Sequence, residues 1–129
     1  MKKQSNEPRI NKSVCNQLDL YNVEYKLQKE MLNQEIEDAL REYESKSGGN
    51  GGNRPDAKAL ITDPISLKKY VILFEFKGYI NKLIKLNKDG EIDNVKSNGE
   101  ANYTNIRDYA VNGAIHYANA ILHYTSYED

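Results

Sequence analysis

Long apolar runs are missing from this chain of 129 residues. No stretch approaches the roughly 20 apolar residues that a membrane-spanning helix requires, and nothing after Met1 has the pattern of a secretory leader. Cysteine is nearly absent too: Cys15 stands alone and cannot form an internal bridge, so the expectation is a reducing, cytoplasmic setting with no membrane partner. An excess of one charge is also lacking. Eighteen Lys and Arg against 19 Asp and Glu leave a net charge of −1, which excludes a uniformly basic nucleic-acid binder but leaves local patches open. There are no internal repeats, and nothing resembles a zinc finger or a recognition helix. What is present, 39% hydrophobic residues in a chain of this length, describes one domain. A domain of this size buries roughly two-thirds of the surface its unfolded chain exposes, enough for a core without staples.

Residues 1–17 are polar and weakly periodic and read as a lead-in, with the folded domain expected over 18–129. From Leu18 to about Tyr43, apolar residues recur at Leu20, Val23, Leu27, Met31, Leu32, Ile36, Ala39, Leu40 and Tyr43, which is helical spacing. The stripe slips by one residue at Met31 and Leu32, so either one long helix or two shorter ones fits. Ser45 to Asn53 follows, with four glycines in its last six positions. Without the Gly-Lys-Ser/Thr ending of a P-loop and with no preceding strand, it reads as a mobile loop and not a phosphate cradle.

Two strand-like runs come next, Asp56–Thr62 and Tyr70–Lys77, joined by Asp63-Pro64 and a polar turn and read as an antiparallel hairpin. The second is the most apolar and β-branched run in the chain and is expected to be a central strand covered on both faces. Asp89-Gly90, between Tyr79–Leu86 and Glu91–Lys96, signals a further small hairpin. A last helix is expected with Ile106, Tyr109, Ala110, Gly113, Ala114, Tyr117, Ile121 and Leu122 on one face, its small residues allowing close approach to a sheet.

Charged residues at the end of the most apolar strand need explaining. Alternation along a strand puts Glu75 and Lys77 on one face and Phe74 and Phe76 on the other. If the hairpin closes symmetrically about residues 66 and 67, Asp56 falls opposite Lys77 and diagonal to Glu75. Two carboxylates so placed suit Mg²⁺, with Mn²⁺ as a substitute. Mg²⁺ keeps several waters and is usually held by one or two protein carboxylates together with phosphate oxygens. Lys77 could orient an attacking water or stabilise developing negative charge. Acid-x-Lys alone is weak, occurring also at Glu24-Tyr25-Lys26 and Asp56-Ala57-Lys58, and an ion pair capping a strand where it meets solvent is the competing reading.

Arg54-Pro55-Asp56 followed by Phe74-Glu75-Phe76-Lys77 resembles the PD-(D/E)XK nuclease superfamily. The stretch Tyr109-Ala110-Val111-Asn112-Gly113-Ala114-Ile115-His116-Tyr117-Ala118 resembles the helix after the catalytic strands in the amino-terminal nuclease domain of fused restriction and adenine-methyltransferase polypeptides. Together the resemblances span about residues 32–127. They imply an α/β (α+β) fold with a restriction-endonuclease-like core, a central mixed sheet whose antiparallel hairpin carries the motif, and flanking helices. They imply a metal-dependent DNA endonuclease, the cleavage domain of a restriction-modification enzyme. Asp56 and Glu75 would be metal ligands, Lys77 the catalytic lysine, and an acid on the first helix would face the site. Glu35, at the edge of the apolar stripe, is the choice for that acid, with Asp38 and Glu42 as alternatives. The family's strand before the motif Asp is replaced here by the glycine stretch, and the chain stops where the family adds another strand. The expectation is therefore a fragment of a longer chain carrying, or associated with, a methyltransferase and target-recognition domain.

Charge is unevenly spread. Glu24 to Glu44 holds seven acids and three bases, whereas Ala57 to Lys88 holds seven bases and two acids. Lys58, Lys68, Lys69, Lys82, Lys85 and Lys88 are candidate phosphate contacts on DNA, and His116 could reach a phosphate or else be a packed core histidine. A homodimer would suit double-strand cutting. A non-catalytic nucleic-acid or protein interaction module, and a nuclease acting on branched DNA or RNA, are the other readings.

Overall fold

The structure, a computed structural model, describes residues 6–46, 48–49, 52–79 and 81–127. The start of the expected lead-in, residues 47, 50 and 51 of the glycine stretch, and residues 80, 128 and 129 lie outside the described residues. The fold is mixed, a three-stranded antiparallel sheet flanked by helices.

Most of the expected lead-in is helical. Helix α1 (Glu7–Leu20) has Pro8 in its first turn, where no intrahelical N–H is needed, and Glu7 beside the positive end of its dipole. None of its residues is buried. The helix expected across residues 18–43 is broken: β1 (Lys26–Leu27) intervenes, and α2 (Gln34–Glu42) begins only after the slip in the apolar stripe. The Asn33 side chain accepts from the Ile36 backbone N–H at 2.8 Å, capping α2 and fixing its start. Ile36, Ala39 and Leu40 of α2 are buried, at the helical spacing that makes one face.

The far end of α2 is closed from a distance. Buried Asn53 donates through Nδ2 to the carbonyls of Leu40, Tyr43 and Glu44 at 3.0–3.1 Å, supplying partners to carbonyls that a helix end leaves open. The described part of the glycine stretch is a tight turn, with Gly48 N–H donating to the Ser45 carbonyl at 2.9 Å and Gly49 N–H to Ser45 Oγ at 3.0 Å.

Strands β2 (Ala57–Thr62) and β3 (Lys69–Phe74) form the expected hairpin. Its turn is organised by Asp63, whose Oδ1 accepts from Ile65 N–H at 2.8 Å. That turn closes at Thr62 opposite Lys69, and the ladder runs to Ala57 opposite Phe74. The register thus differs by two residues from symmetric closure about residues 66 and 67. Side chains alternate with a period of two, so a two-residue shift changes neighbours without changing faces. The sheet order is β1-β2-β3. The central strand is therefore β2, while β3, expected to be central, lies at an edge among the described residues and is only partly covered. Among the described residues every strand pairing is antiparallel, where a mixed sheet was expected.

After β3 the chain crosses two turns tied by isolated bridges, Leu86 to Ile92 and Val95 to Ala101. The Asp89-Gly90 turn is present, but as one bridge and not a hairpin ladder. The last helical region splits into α3 (Tyr103–Asp108) and α4 (Ala110–Tyr124), because Tyr109 takes an extended conformation between them. Ile106, Ala110, Gly113, Tyr117 and Ile121 are buried as the spacing predicts, whereas Leu122 is exposed. The core joins Ile36, Ala39 and Leu40 of α2 to Tyr117, Ala120 and Ile121 of α4, with Leu60, Val71 and Leu73 of the sheet against them. No helix among the described residues is long and apolar enough to cross a membrane.

Candidate functional site

The register places Asp56, one residue before β2, opposite Glu75, one residue after β3. The ladder ends on a side chain: Asp56 Oδ2 accepts the Phe76 backbone N–H at 2.8 Å, fixing the carboxylate at the hairpin mouth. Asp56 Oδ1 receives the Gln28 amide at 3.4 Å. The rings of Phe74 and Phe76 pack together, tilted, with centroids 6.4 Å apart, and strand alternation leaves Glu75 and Lys77 on the face that carries Asp56. All three line one cavity of about 480 Å³.

Glu75 is the unusual member. Its side chain is only 5% exposed, and its Oε2 lies 3.2 Å from Lys46 Nζ. The Lys46 ammonium, the Asp56 carboxyl and the Tyr117 hydroxyl are the polar groups around this buried carboxyl. Burial raises the carboxyl from its ordinary 4.5 to about 7, the Asp56 carboxylate adds to the rise, and Lys46 opposes it. Tyr117 is buried beside the pair, its hydroxyl pushed above its ordinary range by burial and by Glu75. Lys77, half-buried, makes no ion pair with any described residue.

Lys46 was not visible as a site residue in the sequence, yet four features hold it there. His116 and Asn53 both bind the Glu44 carbonyl, at 2.8 and 3.0 Å, anchoring the backbone two residues earlier. The Lys46 ammonium lies 5.2 Å from the centre of the Tyr117 ring. Gly113 supplies the room: a Cβ there would stand 3.4 Å from Lys46 Cδ and 3.6 Å from Glu75 Cγ, and only 2.9 Å from the Ile106 carbonyl oxygen. The close approach expected of this glycine is thus made to α3 and the site and not to the sheet. Glu7 also lines the cavity, brought there as α1 docks through Asn6 N–H donating to the Gly78 carbonyl at 3.2 Å. Nothing in the local pattern separates Glu7 or Lys46 from ordinary surface charge.

Several expected site residues lie elsewhere. Glu35 is exposed and accepts from the Ser126 N–H and hydroxyl at 3.1–3.3 Å, turned toward the end of α4 and away from Asp56. The first-helix acid that lines the cavity is Glu7. Lys58 is 1% exposed and pairs with Glu37 at 2.7 Å, so it is a core ion pair and not a surface contact for DNA. His116 is 3% exposed, and burial holds its imidazole below the usual value and neutral. Facing a carbonyl, its Nε2 carries the proton and donates to Glu44 O; it is a packed histidine, not a phosphate contact. Lys85 is exposed, and Lys82 lies over the Tyr109 ring at 5.0 Å, but neither lines the cavity.

Among the described residues no group of three or more His, Cys, Asp or Glu is arranged to hold a metal ion. The donors that do converge, the carboxylates of Asp56 and Glu75 in one cavity, fit an ion such as Mg²⁺ that takes one or two protein carboxylates and fills its remaining positions with water and substrate. Compared with protein-family models, with curated proteins and with solved structures, the chain matches none.

Proposed function

We propose that this chain is a metal-dependent DNA endonuclease domain that hydrolyses phosphodiester bonds, built on a restriction-endonuclease-like core and serving as the cleavage domain of a restriction-modification enzyme. The observation that carries the reading is the convergence of Asp56, Glu75 and Lys77 on one cavity, with the Glu75 carboxyl almost wholly buried beside Asp56. Burying a carboxylate is costly, and buried carboxyls with shifted titration beside a second acid in a cavity concentrate at functional sites. Asp56 and Glu75 would hold Mg²⁺, which supplies charge neutralisation at phosphorus and acidifies a coordinated water. Asp56 is kept in place for this by the Phe76 amide and Gln28. Lys77, without an ion pair among the described residues, has an ammonium available to a phosphate oxygen as negative charge develops there. Glu7 lines the same cavity.

The test is Mn²⁺ binding by calorimetry, together with plasmid cleavage in Mg²⁺ or Mn²⁺. Asp56→Ala is expected to abolish Mn²⁺ binding, and Lys77→Ala to leave binding intact while lowering cleavage by about 10² or more, the usual effect of removing one charge-stabilising donor. A wild-type chain that binds no Mn²⁺ would refute the reading. One observation favours a second reading: Lys46 already neutralises part of the Glu75 charge. A non-catalytic module of the same shape would bind nucleic acid indifferently to divalent ions and to Lys77→Ala.

A further inference from the structure

The cavity around Asp56 and Glu75 continues into a second depression of about 370 Å³, because Gln28, Gly52, Asn53 and Arg54 line both. Lys29, Arg41 and Arg54 line this extension, and all three are exposed. Its one acidic lining residue, Glu37, is neutralised by Lys58 at 2.7 Å. Arg41 bonds Asp38 in the preceding turn of α2, but that pair is largely exposed, and exposed pairs hold by a fraction of a kcal/mol to about 1 kcal/mol and exchange readily. The groove thus has the carboxylates of Asp56 and Glu75 at one end and three exposed cations at the other. The lysines beyond Gly78, by contrast, sit outside both depressions.

We infer that this groove is the track of a DNA strand: Lys29, Arg41 and Arg54 hold the phosphates beside the one that meets Asp56, Glu75 and Lys77. The inference rests on the endonuclease reading and specifies where its substrate lies. Two guanidinium groups in the set suit phosphate, which they can grip with paired N–H donors. Arg54 belongs to both depressions and links track to site, so the acids and the backbone cations act on one strand.

The test is fluorescence anisotropy with a labelled DNA duplex and the whole chain, in EDTA so that cleavage cannot intervene, across a range of salt concentrations. The triple variant Lys29→Ala/Arg41→Ala/Arg54→Ala is expected to bind at least ~10-fold more weakly, with the slope of log K against log salt reduced by about 2 to 3, close to one for each phosphate no longer neutralised. Lys82→Ala/Lys85→Ala/Lys88→Ala is expected to keep the wild-type slope. Thermal melts followed by circular dichroism establish that both triples fold, as substitutions of exposed side chains should allow. A slope reduced only in the second triple, an unchanged slope in the first, or a wild-type chain that does not bind duplex at low salt each overturns the track. Mn²⁺ binding at Asp56 and Glu75 judges the endonuclease reading separately, so a chain that binds Mn²⁺ but keeps its slope in the first triple fails on the track alone.

Discussion

Replacing Glu75 by Gln should make the protein more stable in weak base and remove a pH dependence that the wild type carries. The unfolded chain releases the Glu75 proton near the ordinary 4.5, whereas the folded chain holds it to about 7. Between those values the folded state binds the extra proton, so stability declines as pH rises through the window and levels off above it. At 1.36 kcal/mol per decade, the interval from 4.5 to about 7 amounts to about 3 kcal/mol in full. Because the side chain is only 5% exposed, solvent screening removes little of this. Measured between pH 5 and 8, about 2.5 kcal/mol of the difference should appear, since titration is incomplete at both limits. The assay is urea unfolding of wild type and Glu75→Gln at both pH values, read as the difference of differences so that other titrating groups cancel. Lys46, 20% exposed, can turn toward water once its partner is neutral, so the variant does not trap a buried charge. Lys46→Met works in the opposite sense: it removes the cation that holds Glu75 down, moves the transition above 7, and steepens the decline in weak base. If wild type and Glu75→Gln keep a constant separation from pH 5 to 8, Glu75 is not desolvated as described and the cavity is wetter than its geometry indicates.

Two further substitutions separate core residues from surface ones. Lys58→Ala leaves the half-buried Glu37 without its cation, and breaking such a pair should cost about 3 kcal/mol or more, whereas Lys85→Ala should stay within about 0.5 kcal/mol; urea unfolding measures both, and Glu37→Gln should recover part of the stability that Lys58→Ala removes. Asn112, fully buried, fastens the loop before α3, accepting Lys85 N–H at 2.9 Å and donating to Lys85 O and Asn94 Oδ1 at 3.1 and 2.9 Å. Asn112→Ala should cost about 1 to 3 kcal/mol for the partners left unpaired, and hydrogen exchange should show faster opening over residues 82–101 than in β2.

The parts of the fold that read correctly from sequence are those set by a period. The buried stripes of α2 and α4 follow helical spacing, and the alternation along β2 and β3 assigned faces correctly even though the register was displaced by two residues. What failed depended on tertiary context. A run as apolar as β3 looks central, but only its neighbours decide which strand is flanked twice, and that place went to β2, whose alanines and lysine give a weaker signal. Helix α1 has no fully buried residue, and its short stripe of Ile10, Val14 and Leu18, half-buried at helical spacing, is diluted by the polar residues around it. The break at Tyr109 is a backbone turn inside a continuous apolar pattern, which periodicity cannot register.

For the site the same physics has a sharper consequence. Asp56, Glu75 and Lys77 were legible because one hairpin carries them, and a hairpin's geometry follows from its own residues. The error in register improved their arrangement: opposition of Asp56 to Lys77 became opposition of Asp56 to Glu75, two carboxylates across a strand pair. Lys46, Glu7 and Arg54 reach the same cavity from a turn, a distant helix and a connecting segment, where local sequence is silent about direction. Lys58 and His116 erred the other way. Each lies in a position whose burial is set by α2 or by the Glu44 backbone, and each found an internal partner where a lone charge or imidazole in sequence suggests a ligand. The cationic track makes the distinction testable: if phosphate contacts followed sequence density of lysine, they would fall on Lys82, Lys85 and Lys88, whereas contact set by the shape of the cavity places them on Lys29, Arg41 and Arg54.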